Sequence, residues 1–233
     1  MDSIISDLRI SRGMVTQLKI RATRLETGDT PLGWKVGFGA PAAMEKLAIQ
    51  TPLLGFLTES ARITSSATVA IADFQQAVVE PEIAVYMGAD LPAGADEKTV
   101  RTAIAGLGPA LELADVTFAP DDVERILAGN IYQRGVILGD KDTERAGANL
   151  DGLSVHLSKN GTEIAQTDDI QANTGNITDI IRLVADYLTG FNLSLGAGDV
   201  VIAGSIVPPV FVSGPCRVDF TLSPFDSISV CFA

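Results

Sequence analysis

Two glutamates interrupt an apolar segment of the chain and restrict how that segment can fold. Residues 78–86 read VVEPEIAVY, a composition typical of a buried strand. Because side chains alternate along a strand, Glu80 and Glu82 point to the same face, which should otherwise pack against other residues. A third glutamate, Glu112, lies in a second apolar segment at 109–115. Carboxylates removed from water need a cation or hydrogen-bond donors, and three oxygen ligands suit Mg²⁺ or Mn²⁺. The pattern predicts a divalent-metal site.

A solvated strand edge is the alternative explanation of the same pattern. In that case Glu80 and Glu82 would only keep an exposed edge soluble, and Pro81 between them suits an edge strand or a bulge. The pattern alone leaves both explanations open.

The net charge limits the class of partner. The chain has 233 residues, 46% of them hydrophobic, and can bury a substantial core. A formal charge of −12 without basic stripes argues against nucleic acid and against an anionic membrane surface. A small anionic substrate stays compatible with this charge, because a metal ion and one or two cations can reverse the field locally.

Cysteine content and apolar runs bear on the compartment. Cys216 and Cys231 are the only cysteines, so we expect no disulfide framework and a reducing cytoplasm. Residues 1–7 have neither the basic nor the apolar region of a secretory signal. The longest apolar stretch, 200–212, is broken by glycine, serine and a proline pair, and is not expected to span a membrane.

Hydrophobic periodicity and turn residues predict a chain in which short strands and helices mix. Helices are predicted at 3–25, at 41–48, at 96–106, from 120, and at 176–189 before Gly190. Strands are predicted at 34–38, over much of 55–86, at 109–115 and 131–138, on both sides of Asn160-Gly161, and at 199–203, 208–212, 216–222 and 227–232. Residues 140–152 are predicted to form a loop. Regular βαβ alternation is missing, so the predicted fold class is mixed α+β and strand-rich. We expect an N-terminal helical or α+β segment at 1–50 and a β-rich catalytic domain at 51–233.

The chain resembles the fumarylacetoacetate hydrolase superfamily, and within it the branch of 2-keto-4-pentenoate hydratases and 4-oxalocrotonate decarboxylases. The similar segments run nearly end to end and are Gly33-Trp34-Lys35-Val36-Gly37, the block from Pro52 to Glu59, the two glutamate blocks at 79–84 and 109–115, Gly175-Asn176, and the run from Gly198 to Ser205. The resemblance implies a β-roll or β-sandwich core with peripheral helices. It also implies a divalent metal held by Glu80, Glu82 and Glu112, a small 2-oxo or 2-enol acid that chelates this metal, and a homo-oligomer.

The chain departs from the branch at three places. The part before Lys35 is shorter than usual, and Ser223-Pro224-Phe225-Asp226 stands where a glycine-containing turn is commoner. After Asn130, where relatives often carry small or hydroxyl residues, this chain has Ile131-Tyr132-Gln133-Arg134. This last departure lies near the expected pocket and therefore bears on the substrate.

Four further residues are candidates for the site, each with an ordinary alternative. By family position Lys35 contacts the substrate carboxylate or a developing oxyanion and helps to move protons, although strand-end lysines usually face solvent. Glu59 is the candidate general base, although acids at strand ends often only cap turns. Ser205 either hydrogen-bonds a substrate carboxylate or serves a turn. Arg134 either binds a second carboxylate or pairs with a structural acid.

The predicted activity is that of a lyase, a hydratase that adds water to 2-hydroxypenta-2,4-dienoate (2-oxopent-4-enoate) or a close 2-oxo acid and gives a 4-hydroxy-2-oxo acid. Decarboxylation of a 2-oxo dicarboxylate is the alternative, and it would need a second cation such as Arg134. Acylpyruvate hydrolysis and a non-catalytic partner subunit come third. Hydrolysis is disfavoured because superfamily hydrolases use an early histidine, whereas the single histidine here, His156, lies in a hairpin strand and is expected at the surface.

Overall fold

Two β-sheets with helices at their edges make up the chain. The structure is a computed structural model and describes residues 6–233, within which five α-helices and twelve strands have their bounds. The helices are α1 (Leu8–Glu26), α2 (Pro41–Leu47), α3 (Glu97–Ala103), α4 (Val123–Ala128) and α5 (Ile177–Thr189). The strands are β1 (Pro31–Gly37), β2 (Leu53–Thr58), β3 (Thr68–Val69), β4 (Ala77–Met87), β5 (Ile104–Asp115), β6 (Gln133–Leu138), β7 (Ser154–Lys159), β8 (Thr162–Thr167), β9 (Val200–Ser205), β10 (Val210–Val212), β11 (Cys216–Ser223) and β12 (Asp226–Phe232). The predicted mixed α+β, strand-rich class is confirmed.

Most predicted elements are present with bounds shifted by a few residues. Of the helix predicted at 3–25, residues 3–5 lie outside the described part of the chain and most of the remainder is α1. Helix α5 begins after Asn176, whose side chain accepts hydrogen bonds from the next turn as an N-cap. The strand predicted at 131–138 begins only at Gln133, because the three residues before it have left-handed backbone.

The first sheet has seven strands in the order β2-β1-β9-β4-β5-β6, with β10 paired to β4. The second has five strands in the order β3-β12-β11-β7-β8. One face of β11 packs against β5 of the first sheet, and alternate residues of β11 are therefore buried. Strand β1 pairs with both β2 and β9, so the boundary predicted at residue 50 falls inside the first sheet.

The first sheet is curled, and its two edge strands approach one another. After β2, Ile63 donates its backbone N–H to the carbonyl of Val136 on β6 at 2.8 Å. Helix α1 packs against α4, where Gln17 donates to the carbonyls of Leu54 at 3.1 Å and Leu127 at 2.9 Å. These contacts hold α4, and the segment that follows it, against the β2 edge. None of the helices in the described part of the chain is long and apolar enough to cross a membrane.

Candidate active site

The pairing of β4 with β5 brings the three glutamates together. Glu80 lies directly opposite Glu112 in this ladder, and Glu82 follows on the same face of β4. One carboxylate oxygen from each residue lies within 4.8 Å of the others. Glu82 and Glu112 are buried, each 1% exposed, so the explanation as a solvated strand edge does not hold. The predicted carboxylate cluster therefore exists as a buried group.

Burial keeps these carboxylates from ionising easily. It raises the pKa of Glu82 well above its usual value, and the neighbouring charges of Glu112 and Glu80 act in the same direction. Burial also raises the pKa of Glu112 to about 7, although the ammonium group of Lys35 opposes the shift. The pKa of Glu80 is raised by burial and lowered in part by Lys35. Such a group needs positive charge if all three carboxylates are to ionise.

The charge balance and an unpaired oxygen fit a divalent cation. Three ionised carboxylates and the ammonium group of Lys35 would leave a net charge of −2 at this site. Oε2 of Glu112 is buried and has no hydrogen-bond partner among the described residues. Carboxylate oxygens are the ligands that Mg²⁺ and Mn²⁺ prefer. The residues present therefore fit a metal ion of this kind.

Lys35 reaches the cluster from a distant strand. Its strand, β1, lies three positions from β5, a span of about 14 Å in a flat sheet. Side chains that stand on a flat sheet would not meet over this span, yet the Lys35 Nζ donates to Glu112 Oε1. The same Nζ donates to the carbonyl of Ile131 at 3.0 Å, and the side chain is 1% exposed. The curl of the sheet thus places a buried cation beside the carboxylates.

A cavity of about 640 Å³ opens above this group. Its walls include Phe38, Val116, Ile131, Tyr132 and Phe211, all apolar or aromatic. The Tyr132 hydroxyl donates to a backbone carbonyl at 3.1 Å and is thus occupied. Gln76, Asn173, Thr174 and Ser205 supply polar atoms along the lining. Within the described part of the chain, the lining contains one cation, Lys35.

The structure treats the remaining candidates differently. Ser205 lines the cavity, but its hydroxyl donates to the carbonyl of Val207 at 2.8 Å, as expected of a turn. Arg134 does not line the cavity. It lies at a β-bulge in β6 and has no partner residue in β5. Its side chain is exposed, and the guanidinium donates to the Asp73 carbonyl at 3.3 Å. Glu59 is also outside the cavity lining. Its side chain is exposed, and its Oε2 lies 3.7 Å from Nη1 of Arg62. Neither substrate binding by Arg134 nor general-base action by Glu59 has support from this geometry.

His156 and Asn130 complete the comparison with the sequence. His156 lies in β7, where its Nδ1 is 2.9 Å from a carboxylate oxygen of Glu163, away from the cavity. The sequence reasoning did not single out Asn130, whose amide contacts the backbone of Phe56. The signal that could have pointed to it is the departure from family pattern that begins immediately after it.

Comparisons with known proteins agree with this architecture. A family model described as fumarylacetoacetate (FAA) hydrolase C-terminal matches residues 35–232, which confirms the resemblance seen in the sequence. A 2-hydroxyhexa-2,4-dienoate hydratase of Comamonas testosteroni is 26% identical over 214 residues, covering 90% of this chain and 81% of the relative. A 4-oxalocrotonate decarboxylase of Pseudomonas putida is 25% identical over 219 residues, covering 93% of this chain and 83% of the relative. The solved structure of 4-oxalocrotonate decarboxylase from Pseudomonas putida G7, complexed with magnesium and adipate, superposes with a TM-score of 0.87 at 22% identity and covers 100% of this chain and 90% of that one.

Proposed function

Because the chain belongs to the fumarylacetoacetate hydrolase family, we propose that it is a metal-dependent lyase that hydrates 2-hydroxypenta-2,4-dienoate or a close 2-enol acid. The observation that carries this proposal is a floor of three carboxylates and Lys35 beneath a cavity with largely apolar walls. Relatives named as hydratases of such acids match over about nine-tenths of the chain.

The carboxylate cluster would hold the cofactor. Glu80, Glu82 and Glu112 are the proposed ligands, and their oxygen donors suit Mg²⁺ or Mn²⁺. A bound divalent cation supplies Lewis-acid stabilisation of negative charge on the substrate's carboxylate and 2-oxygen.

Lys35 is the proposed residue for substrate orientation and proton movement. An ammonium group has three N–H donors, and two of them go to Glu112 and Ile131. The third can donate to an anionic substrate oxygen in the cavity. Apart from the three glutamates, Lys35 and Tyr132 are the titratable side chains lining the cavity in the described chain. Burial raises the pKa of Tyr132 to about 12 and its hydroxyl is bonded to a backbone carbonyl, so we assign proton movement to Lys35.

The proposed reaction adds one proton to the terminal carbon and one to carbon 3 of the substrate. The 2-hydroxyl proton of the dienol leaves and a proton reaches the terminal carbon, which gives a conjugated 2-oxo acid. Water oxygen then adds to carbon 4 and a proton to carbon 3, so that one water is consumed and a 4-hydroxy-2-oxo acid forms. The Lys35 Nζ is the atom proposed to deliver or accept these protons.

The single lining cation favours a monocarboxylate substrate. A 2-oxo dicarboxylate would bring a second carboxylate into the cavity, and a desolvated carboxylate needs a cation or donors of its own. Lys35 is already paired with Glu112, and Arg134 lies outside the cavity. We therefore favour hydration over the decarboxylation that a relative's name also indicates.

The ultraviolet absorbance of three candidate substrates tests this proposal. 2-Hydroxypenta-2,4-dienoate and 2-hydroxyhexa-2,4-dienoate should lose absorbance with Mg²⁺ and not with EDTA, while 2-oxohex-3-enedioate should release no carbon dioxide. Glu80→Gln should abolish this turnover, and Glu163→Gln, at an exposed site, should not. Turnover that persists in EDTA would contradict the metal site, and carbon dioxide from the diacid would assign the decarboxylase reaction instead.

Three expectations from the sequence accompany this proposal. We propose a homo-oligomer, measurable by sedimentation, because family membership implies one. We propose a cytoplasmic location, with which two free cysteines agree. The division into segments 1–50 and 51–233 also stays a prediction, which separate expression of the two segments would test.

A further inference from the structure

Three consecutive residues beside the cavity have left-handed backbone. The φ angles are 53° at Asn130, 51° at Ile131 and 61° at Tyr132. Asparagine adopts this conformation readily, but a β-branched isoleucine rarely does. Ile131 and Tyr132 also line the cavity. Strained backbone at a site persists only where surrounding contacts hold it, so the contacts of this segment reveal what it holds in place.

The Asn130 amide ties the segment to the edge of the first sheet. Its Oδ1 accepts the Phe56 N–H at 2.8 Å, and its Nδ2 donates to the Phe56 carbonyl at 2.9 Å. Phe56 belongs to β2, the edge strand, so the side chain takes the place that a neighbouring strand would occupy. Asn130 is 6% exposed, so both bonds are shielded from water.

The hydrogen bonds of Asn130 place the carbonyl of the next residue, Ile131, beside Lys35. With Asn130 fixed and Ile131 left-handed, the carbonyl of Ile131 lies 3.0 Å from the Lys35 Nζ. Gly55 leaves the room that this arrangement needs, since a Cβ there would lie 2.8 Å from Lys35 Cγ and 3.0 Å from Asn130 Oδ1. At Gly37, a Cβ would lie 3.1 Å from Ile131 Cγ2. Gly55 thus leaves room for the lysine stem, and Gly37 leaves room for Ile131.

We propose that Asn130 is a positioning residue that acts through Lys35. It holds Ile131 so that the carbonyl of Ile131 and the carboxylate of Glu112 together fix the ammonium group, with its third N–H directed to the substrate. The consequence for turnover rests on the proposed function of the cavity, whereas the coupling between Asn130 and Lys35 does not.

A double-mutant cycle in turnover tests the proposal. Asn130→Gly keeps access to left-handed backbone and removes both amide bonds, and Lys35→Met removes the ammonium group. At saturating Mg²⁺, Asn130→Gly should lower kcat about 100-fold, the scale of a misplacement of about 1 Å. In the Lys35→Met background the same substitution should have almost no further effect. Asn192→Gly is the matched control, since Asn192 is also left-handed, with a φ of 58°, and lies outside the cavity lining.

A purely structural role predicts another result. In that case Asn130→Gly would lower kcat by the same factor with and without Lys35, and this outcome would overturn the proposal. If Asn130→Gly does not fold, Asn130→Asp replaces it, because aspartate tolerates the same backbone and keeps the acceptor for the Phe56 N–H.

Urea unfolding of the metal-free variants provides a readout that needs no substrate. If Asn130 and Lys35 are coupled, the midpoint shift of the double variant should be smaller than the two single shifts combined. Additive shifts would overturn the proposal. Coupled unfolding together with no turnover of any 2-enol acid would instead reject the proposed function and leave the positioning role intact.

Discussion

Replacing Lys35 by methionine in the metal-free protein should change how stability depends on pH. Methionine keeps an unbranched apolar stem and removes the charge that opposes the upward shift of the Glu112 pKa. That pKa is about 7 in the wild-type protein, against an ordinary value of 4.5. Without the ammonium group it should rise above 7. Just above pH 7, the variant should therefore keep Glu112 protonated, whereas in the wild-type protein this residue is mostly ionised.

The sign and size of the effect follow from proton linkage. Because the folded pKa of Glu112 lies above the unfolded value, the folded state binds more protons between about pH 4.5 and 7, and stability falls as pH rises through this window. The slope is about 1.4 kcal/mol per pH unit, so the wild-type protein loses about 3 kcal/mol from Glu112 across it. In Lys35→Met the pH range over which stability falls extends above pH 7, because the folded pKa of Glu112 is higher. Between about pH 7 and 8 the variant should lose up to about 1 kcal/mol more than the wild-type protein, which has already released most of its Glu112 proton in this range.

Urea unfolding in EDTA, followed by circular dichroism at about pH 6 and pH 8, measures this difference. Lys19→Met is a matched control, because Lys19 is exposed on α1 and its loss should give the same stability change at both pH values. Adding Glu112→Gln to Lys35→Met should remove the part of the extra pH dependence that comes from Glu112 and leave the parts from Glu80 and Glu82, whose pKa values Lys35 also lowers. If Lys35→Met changes stability equally at both pH values, Lys35 does not govern the ionisation of Glu112, and the electrostatic account of the site is wrong.

Three further outcomes are expected. Because protons compete with a cation for three carboxylates, Mg²⁺ or Mn²⁺ affinity should rise from about pH 6 to pH 8 with proton release on binding; calorimetry that shows a pH-independent affinity would contradict this. Gly33→Ala should lower the free energy of unfolding by more than about 2 kcal/mol, since its φ is 153° and its Cβ would lie 1.9 Å from the Val200 oxygen. Gly214→Ala, with nothing within 4 Å of its Cβ, should change the free energy of unfolding by less than about 0.5 kcal/mol. Equal shifts in the melting temperature for Gly33→Ala and Gly214→Ala would refute the reasoning. Arg134→Ala and Glu59→Gln should each leave kcat/KM within about twofold, and a loss of about tenfold would return either residue to the catalytic site.

The carboxylate cluster could be predicted because its determinants are local. Strand alternation puts Glu80 and Glu82 on one face, and antiparallel pairing of two apolar segments brings Glu112 opposite Glu80. The position of Lys35 followed only from family resemblance, because its contact with Glu112 joins strands three positions apart and depends on the curl of the whole sheet.

The features that the sequence could not place have equally physical causes. The sequence left Arg134 between a substrate carboxylate and a structural acid; the structure has it at a bulge between Gln133 and Gly135, exposed and outside the cavity lining, and no residue pattern marks that bulge. The left-handed run that begins at Asn130 depends on hydrogen bonds to Phe56, 74 residues earlier in the chain. Propensity describes neighbours along the chain and therefore favoured a strand from Ile131, whereas a distant backbone partner selects the conformation actually adopted.

The choice between hydration and decarboxylation must lie in the cavity wall. A hydratase and a decarboxylase match this chain at 26% and 25% identity, so overall likeness does not separate the two reactions. Both would use the same carboxylates and Lys35, and the difference is how the cavity receives the far end of the substrate. Here the cavity wall includes Ile131 and Tyr132. A carboxylate placed against such a wall would lose its hydration without gaining donors, whereas a vinyl or propenyl group would lose nothing. Ile131 and Tyr132 thus favour an uncharged substrate tail, and with it the hydration that we propose.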